Sequence, residues 1–302
     1  MIEIVKAPPY ATVQDQGFAR GRSFGLPRGG AMDPLLARLA NQSIGNPPGA
    51  AVIEWSLGPL SFRLRESRRV TGLGPAGIRV NGTAIPTAIA LRVEKGTTVT
   101  MAPGPRPIFN YLAVEGGIAV DPVLGARATY VPAGFGGFEG RRLRTGDALP
   151  VGTPGKGPGP SPGEIAERVQ EVQQGSNGIR LRVIRGPQWA RFDRFMQEQF
   201  LAASFTVDHA SDRMGYRLTG PHVAPREQAT LPSEAACPGA VQVPDNGQPI
   251  VIMPDGPTVG GYPKIAAVIE ADLRLLAQSP PGTPVRFRLV SLEEARRIIL
   301  LP

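Results

Sequence analysis

The side chains best suited to chemistry are concentrated in one short polar segment, residues 211–221. Within SDRMGYRLTGP stand Asp212, Arg213, Tyr216 and Arg217. The two arginines supply planar donors that suit a carboxylate, and Asp212 is a candidate general base or orienting group. We therefore predict a catalytic role for Asp212 and substrate contacts for the other three. The alternative is that Asp212 and Arg213 only brace a turn.

A second segment, residues 238–264, holds two apolar strands followed by a polar, glycine-rich loop. Asp255 and Lys264 in this loop are predicted catalytic residues, although an aspartate before Gly-Pro is also a common turn residue. Gln242 stands between two valines, so it faces solvent, is a buried hydrogen bonder or pairs with an amide edge of a substrate. Because the loop glycines allow close backbone approach to a ligand, we expect this segment and residues 211–221 to share one pocket.

A third polar segment, residues 12–34, is long, rich in glycine and directly precedes a helix. Loops of this kind often bind a ligand. Asp15 is therefore a candidate substrate contact or a turn-closing residue. Asp33 is a second candidate contact, but before Pro34 it is also well placed to cap the helix.

Several strings that look like familiar motifs lack the context or the spacing that those motifs require. GLGPAG at 72–77 has the spacing of a dinucleotide fingerprint, but a proline and a strand hairpin follow where a helix is required. GTPGKG at 152–157 lacks phosphate-loop spacing. His209 and His222 have no helical metal-ligand spacing, and Cys237 is the single cysteine. The sequence thus predicts no metal site and no ATP site in this chain.

Composition favours a folded protein with a protein partner. The chain has 302 residues, 41% of them hydrophobic, and a net charge of +8. Its basic residues are scattered and do not interleave with stacking aromatics, which argues against nucleic acid. The start of the chain lacks an apolar signal segment and no run of about 20 apolar residues occurs, so we expect a cytoplasmic protein without membrane contact.

The pattern of short apolar runs separated by Gly and Pro predicts a mainly β fold with few helices. Predicted strands are Met1–Val5, Val52–Leu64 with a break at Gly58, Ile78–Val80, Thr83–Ile85, Thr97–Met101, Tyr111–Val114, Ile179–Ile184, Val241–Val243, Ile250–Met253 and Val285–Val290. Predicted helices begin at Asp33 and cover Phe192–Leu201, Asp272–Gln278 and Ser291–Ile299. A Gly- and Pro-rich junction divides the chain into domains 1–160 and 179–302, with a linker at 161–178.

Motifs along nearly the whole chain resemble one known family, in the right order. They are TVQDQG, GAMDP, LANQSIGNP, YLAVEGG, LGARATY, SDRMGYRL, PGAVQVPDNGQPIVIM, GGYPKIA and AQSPPGTPVRF. The family comprises the C subunit of 5-oxoprolinase, the carboxyltransferase part of urea amidolyase (also called the second allophanate hydrolase subunit) and the Kip-antagonist protein. This chain departs from the family pattern at Ala126 and Ala128, where serine is usual, so neither position can supply a hydroxyl.

The resemblance implies two cyclophilin-like β-barrel domains and an amide-bearing substrate. It implies ATP-dependent cleavage of 5-oxoproline to glutamate in a complex with the A subunit and the Kip-inhibitor-like B subunit. The alternatives are carboxyl transfer from carboxybiotin to urea or a related amide, regulation by binding a kinase inhibitor, and peptide binding without catalysis. The chain has no biotinyl-lysine motif. We therefore expect no cofactor bound by this chain alone, with ATP used by the complex or carboxybiotin delivered in trans.

Overall fold

A computed structural model describes residues 1–85, 90–103, 108–155, 178–226 and 231–299. These residues form two compact units. The first contains residues 1–20 and 29–155, and the second contains residues 21–28 and 178–299. The predicted linker, 161–178, lies outside the described residues apart from Gly178.

Among the residues described, the first unit contains two large sheets, one two-stranded sheet and one α-helix. Its strands are β1 (Ile2–Lys6), β2 (Tyr10–Gln14), β3 (Val52–Ser56), β4 (Leu60–Leu64), β5 (Arg68–Leu73), β6 (Pro75–Val80), β7 (Thr83–Ile85), β8 (Leu91–Val93), β9 (Thr98–Pro103), β10 (Asn110–Val114), β11 (Thr129–Tyr130), β12 (Phe135–Gly136) and β13 (Ala148–Leu149). Six form a sheet in the order β13-β1-β4-β9-β6-β7, and five form a sheet in the order β2-β3-β10-β5-β8. Apolar side chains of both sheets, including Phe62 and Trp55, share one buried core.

Local chemistry explains the sharpest features of this unit. The hairpin between β6 and β7 turns at Asn81 and Gly82, whose φ angles are 47° and 86°. Both residue types tolerate positive φ, as the sequence predicts for a tight hairpin. Helix α1 (Pro34–Ser43) begins after Asp33, whose Oδ1 accepts a hydrogen bond from Leu36 N at 3.1 Å.

The second unit contains a closed barrel of seven strands. Its strands are β14 (Ile179–Arg185), β15 (Phe205–Val207), β16 (Gly215–Thr219), β17 (Glu234–Ala235), β18 (Ala240–Gln242), β19 (Ile250–Ile252), β20 (Val259–Gly260), β21 (Lys264–Val268) and β22 (Pro284–Leu289). The barrel order is β14-β21-β18-β19-β16-β15-β22, and β17 and β20 form a separate two-stranded ribbon. The prediction of a mainly β fold with a few short helices is confirmed.

Three helices complete the second unit among the residues described. Helix α2 (Arg194–Ala202) is capped by Asp193, and α4 (Leu292–Ile299) follows Ser291 as predicted. Helix α3 (Glu270–Ala277) begins two residues before the predicted Asp272, because Asp272 serves inside the first turn and not as the cap. In the part of the chain that the structure describes, every helix is too short or too polar to serve as a membrane span.

Candidate active site

A cross-strand pair on the outer surface of the barrel brings two predicted site residues together. Gln242 on β18 lies opposite Lys264 on β21, next to an irregularity in the register of the two strands. Their neighbours Val241 and Ala266 are paired with each other and fully buried in the barrel. Gln242 directly follows Val241, so its side chain points to the outer face. The irregularity adds one residue, Ile265, to β21, and Lys264 therefore stands opposite Gln242 on that face.

The ribbon of β17 and β20 covers this pair. Lys264 Nζ lies 2.6 Å from Glu234 Oε1 on β17, and Gln188 Nε2 donates to the same oxygen at 2.6 Å. Lys264 N donates to Gln188 Oε1 at 3.0 Å, which closes the network. We name Lys264, Glu234, Gln188 and Gln242 the lysine cluster. The Lys264 side chain is only 6% exposed, whereas that of Glu234 is 40% exposed, so the carboxylate is the member open to solvent.

Gln242 brings an unused donor to the lysine cluster. Its side chain is buried, and Nε2 has no hydrogen-bond acceptor in the described structure. A Cβ added at Gly260 of the ribbon would lie 2.7 Å from this nitrogen, so glycine is what lets the ribbon pass so close. Because a buried donor without an acceptor is costly, this amide would gain from an acceptor brought by a bound molecule.

The electrostatics assign an acceptor role to Glu234. The hydrogen bond from Lys264 Nζ is the main cause that lowers the pKa of Glu234, with smaller contributions from Gln188 and Arg191. The carboxylate is therefore ionised near neutral pH and can accept, but not supply, a proton. Together the lysine cluster offers an ammonium group, an amide donor and a carboxylate within one small region.

Arg213 and Asp255 join the two predicted segments by a buried ion pair. Arg213 Nε donates to Asp255 Oδ2 at 2.7 Å, and Nη2 donates to Oδ1 at 2.8 Å. The side chains are 9% and 5% exposed. Residues 211–221 and the loop after β19 thus meet through this ion pair, whereas the shared pocket that we expected stays a prediction. The pair already engages two guanidinium nitrogens and both carboxylate oxygens. This arrangement braces the two segments against each other.

The remaining predicted residues of the first segment diverge. Asp212 Oδ1 accepts from the backbone N of Met214 at 2.8 Å and so closes the turn. Tyr216 is buried, with its hydroxyl donating to Ala277 O at 2.9 Å. Arg217 is exposed beside a groove of about 220 Å³ that Asp208 also lines.

Arg217 nevertheless shares a row of side chains with the lysine cluster. It pairs with Ile250 on β19, and Ile250 pairs with Gln242 on β18. Paired residues in a sheet point to the same face, so the three lie side by side on the outer surface of the barrel. At about 4.8 Å per strand, the backbones of Arg217 and Gln242 are roughly 10 Å apart.

Asp15 and Asp33 belong to the first unit, where backbone groups engage both carboxylates. Asp15 accepts from Gly17 N at 2.8 Å and from Arg127 N at 2.6 Å. Asp33 caps α1. Each therefore organises the glycine-rich segment of residues 12–34, which accords with the turn-closing and capping alternatives noted for them.

Beside Asp33 lies a buried polar contact that the sequence did not predict. The Tyr111 hydroxyl donates to Glu54 Oε2 at 2.8 Å and accepts from Asp33 N at 2.7 Å. Glu54 Oε2 also accepts from Met32 N at 2.7 Å. Burial first, and then the nearby charge of Glu54, raise the pKa of Tyr111 well above its ordinary value, so the hydroxyl stays protonated and keeps its donor.

Two members of the lysine cluster, Gln188 and Glu234, were also missed. Gln188 follows a strand in the string RGPQW, and Glu234 stands in LPSEAACP. Neither string carries a recognised motif. The one available signal was the polar pair itself, since Lys264 and Gln242 each require partners once they are buried.

Comparison with known protein families places the chain. The family model for the carboxyltransferase domain, subdomain A and B, matches residues 24–289. The chain belongs to this carboxyltransferase domain family. It is 39% identical over 98% of its length to the 5-oxoprolinase C subunit of Escherichia coli, covering 93% of that protein. It is 33% identical over 99% of its length to the protein of the same name from Haemophilus influenzae, covering 94% of it.

Solved structures of the carboxyltransferase domain family share the fold. The crystal structure of Kluyveromyces lactis urea carboxylase superimposes with a TM-score of 0.91 at 25% identity. The match covers 99% of this chain and 28% of that protein. The carboxyltransferase domain in hand therefore corresponds to nearly all of a 5-oxoprolinase C subunit and to about a quarter of the urea enzyme.

Proposed function

We propose that this chain is the C subunit of an ATP-dependent 5-oxoprolinase, acting with the A and B subunits to cleave 5-oxoproline to glutamate. The observation that carries the proposal is the near end-to-end match with the 5-oxoprolinase C subunit of Escherichia coli. The lysine cluster supports it, because an ammonium, an amide donor and a carboxylate are the groups that a lactam requires.

In this proposal the lysine cluster binds the lactam. Lys264 Nζ and Gln242 Nε2 donate to the carbonyl oxygen, which gains negative charge as the carbonyl carbon is attacked. The ionised Glu234 carboxylate accepts the lactam N–H and keeps the ring in place. Gln188 holds both charged groups by its two hydrogen bonds and is a positioning residue.

In the same proposal, Arg217 binds the substrate carboxylate. Its guanidinium has no acidic partner among the described residues and lies on the same face as Gln242. Arg213, in contrast, already donates to Asp255 with both arms of its fork. Arg217→Gln should therefore raise KM more than it lowers kcat, since its contact is the same in the substrate and in the transition state.

ATP enters this scheme through the partners. We infer that the isolated chain is inactive on 5-oxoproline and gains ATP-dependent activity only with the A and B subunits. The test is glutamate release by the three purified proteins together, with each one omitted in turn. Robust turnover by this chain without ATP or partners would refute the proposal, as would a complete complex that releases no glutamate.

The lysine cluster is tested in the same complex. Lys264→Met should lower kcat/KM by about two decades, the usual cost of removing one donor from a developing oxyanion. Lys95→Met is the matched control, because Lys95 lies in an exposed turn. If both variants assemble and melt alike but Lys264→Met keeps full activity, the cluster is not the site.

A second candidate is carboxyl transfer from carboxybiotin, delivered in trans, to urea or a related amide. The observation in its favour is the similarity of the whole fold to urea carboxylase. The same amide-binding groups would serve, because urea also presents a carbonyl oxygen and N–H donors. Carboxylation of urea in the presence of a biotinylated carrier, without glutamate formation from 5-oxoproline, would favour this candidate.

A further inference from the structure

Four arginines form a compact group on the outer face of the barrel, along the parallel strands β14 and β22. Arg180 pairs with Arg286, and Arg182 pairs with Arg288 two residues further on. The intervening residues, Leu181 and Phe287, are buried in the barrel, so all four arginines face outward. We name Arg180, Arg182, Arg286 and Arg288 the arginine ladder.

Each cross-strand pair of arginines is one rung of the arginine ladder. The occupied rung, Arg182 and Arg288, is neutralised by acids of the same unit. Arg182 donates from Nε to Asp272 Oδ2 at 2.9 Å, and its backbone N donates to the same oxygen at 2.7 Å. Arg288 is paired with Glu294 of α4. These contacts show that the surface of the ladder accommodates carboxylates, one for each arginine.

The free rung, Arg180 and Arg286, has no acidic partner among the described residues. Both side chains are exposed, and they lie directly opposite each other on adjacent strands. Like charges in directly opposed positions destabilise a sheet. The fold therefore carries an unfavourable pair that nothing in its own described structure offsets, which is typical of a surface retained for binding.

We propose that the arginine ladder docks an acidic segment of a protein partner, with carboxylates seated on Arg180 and Arg286. The occupied rung is the template: it shows carboxylates bound to Arg182 and Arg288 in the positions that the partner would repeat. The site lies apart from the lysine cluster and does not depend on the proposed oxoprolinase activity. The A and B subunits are the first partners to test.

Nucleic acid fits the arginine ladder less well than an acidic segment. Single strands are bound through aromatic rings that stack on the bases, and duplexes through long basic surfaces that follow the phosphates. On the side away from Arg182 and Arg288, the neighbouring outward-facing residues are Pro284 and Thr206, which supply neither. Carboxylates, with two oxygens that match the guanidinium fork, fit the free rung directly.

The experiment compares two double variants with the same loss of charge. Arg180→Gln with Arg286→Gln removes the free rung, and Arg296→Gln with Arg297→Gln removes two exposed arginines of α4. The probes are a fluorescent decaglutamate peptide and the purified A and B subunits, measured by anisotropy and titration calorimetry. We expect the free-rung variant to bind the peptide and one of the two partners about tenfold more weakly, with a smaller salt dependence, while the α4 variant binds as the wild type does.

Stability measurements separate docking from a structural role. Removing a repulsive pair should leave Tm unchanged or slightly raised, so a clear fall in Tm for the free-rung variant would overturn the proposal. Equal weakening by both double variants would also overturn it, because the effect would then be one of net charge alone. Random duplex DNA that binds more tightly than the peptide, through the same rung, would assign the surface to nucleic acid. Loss of partner binding with activity retained at saturating partner would support docking, whatever reaction the complex performs.

Discussion

Asp255→Asn should destabilise the second unit strongly, and this one substitution tests whether the Arg213–Asp255 pair is structural. The pair is bidentate, with contacts of 2.7 and 2.8 Å, and both side chains are nearly excluded from solvent. Asparagine has the same shape but no charge. The substitution therefore leaves the guanidinium of Arg213 buried without its counterion, which is the costly half of a broken ion pair.

The expected magnitude follows from that burial. Removing one partner of a buried pair costs about 3–5 kcal/mol, whereas an exposed pair costs at most about 1 kcal/mol. The lower end is appropriate here because the asparagine oxygen can still accept one hydrogen bond. At roughly 3–4 °C per kcal/mol for a unit of this size, Tm should fall by about 10 °C. The exposed pair of Arg194 and Glu198, broken in the same way, should leave Tm almost unchanged.

A double-mutant cycle gives the sharper result. Arg213→Met combined with Asp255→Leu replaces both charges by apolar groups, and it should be more stable than either single variant. Thermal melts followed by circular dichroism compare the wild type, Arg213→Met, Asp255→Leu and the double variant. If Asp255→Asn melts with the wild type while the complex loses activity, the pair is functional and the structural reasoning is wrong.

Three other outcomes follow from single contacts. Gly260→Ala should raise KM in the complex without lowering Tm, because a Cβ there would press on Gln242 Nε2, and steady-state kinetics would show it. Asp147→Asn should make the fall of Tm at acid pH less steep. Burial raises the pKa of Asp147, but hydrogen bonds from an arginine side chain and a backbone amide outweigh this effect, so the pKa is lowered. That contribution is present above about pH 4 and is lost as the pH falls further, which melts recorded between neutral and acid pH would reveal. Tyr111→Phe should cost about 1–3 kcal/mol in a denaturant titration, since it removes the hydroxyl that donates to the buried Glu54.

The parts of the fold that the sequence predicts are those decided by near neighbours. The hairpin at Asn81-Gly82 and the capped start of α1 depend on the conformational preferences of a few consecutive residues, and both stand where the sequence places them. The break between β3 and β4 at Gly58 follows the same logic, with a φ of 153° that excludes most other residues.

The candidate site could be predicted only in part, because its contacts join distant residues. Lys264 meets Glu234 and Gln188, which are 30 and 76 residues away in the chain. No local pattern records such a partner. Lys264 and Gln242 could be singled out because their own neighbours are apolar, whereas Glu234 and Gln188 lie in strings of mixed polarity.

The sequence also did not predict which charged side chains are buried. Arg213 and Asp255 stand in loops rich in charge and glycine, a composition typical of exposed segments, yet their guanidinium and carboxylate are enclosed together. A charged side chain in a loop is normally solvated, and only a specific partner makes its burial tolerable. The partner becomes visible when the two loops are seen to meet.

The barrel itself serves as a scaffold, because apolar side chains fill its interior. Phe200 of α2 stacks on Phe287 with ring centroids 4.4 Å apart, and Phe205 packs against both rings. An interior packed in this way has little room for a lactam or for polar groups to orient it. The packed interior therefore agrees with the proposed site on the outer face, where the strand register decides which side chains are presented. A slip of one residue in β18 would turn Gln242 inward and Val241 outward, so the pairing of β18 with β21 determines both the stability of the barrel and the composition of the lysine cluster.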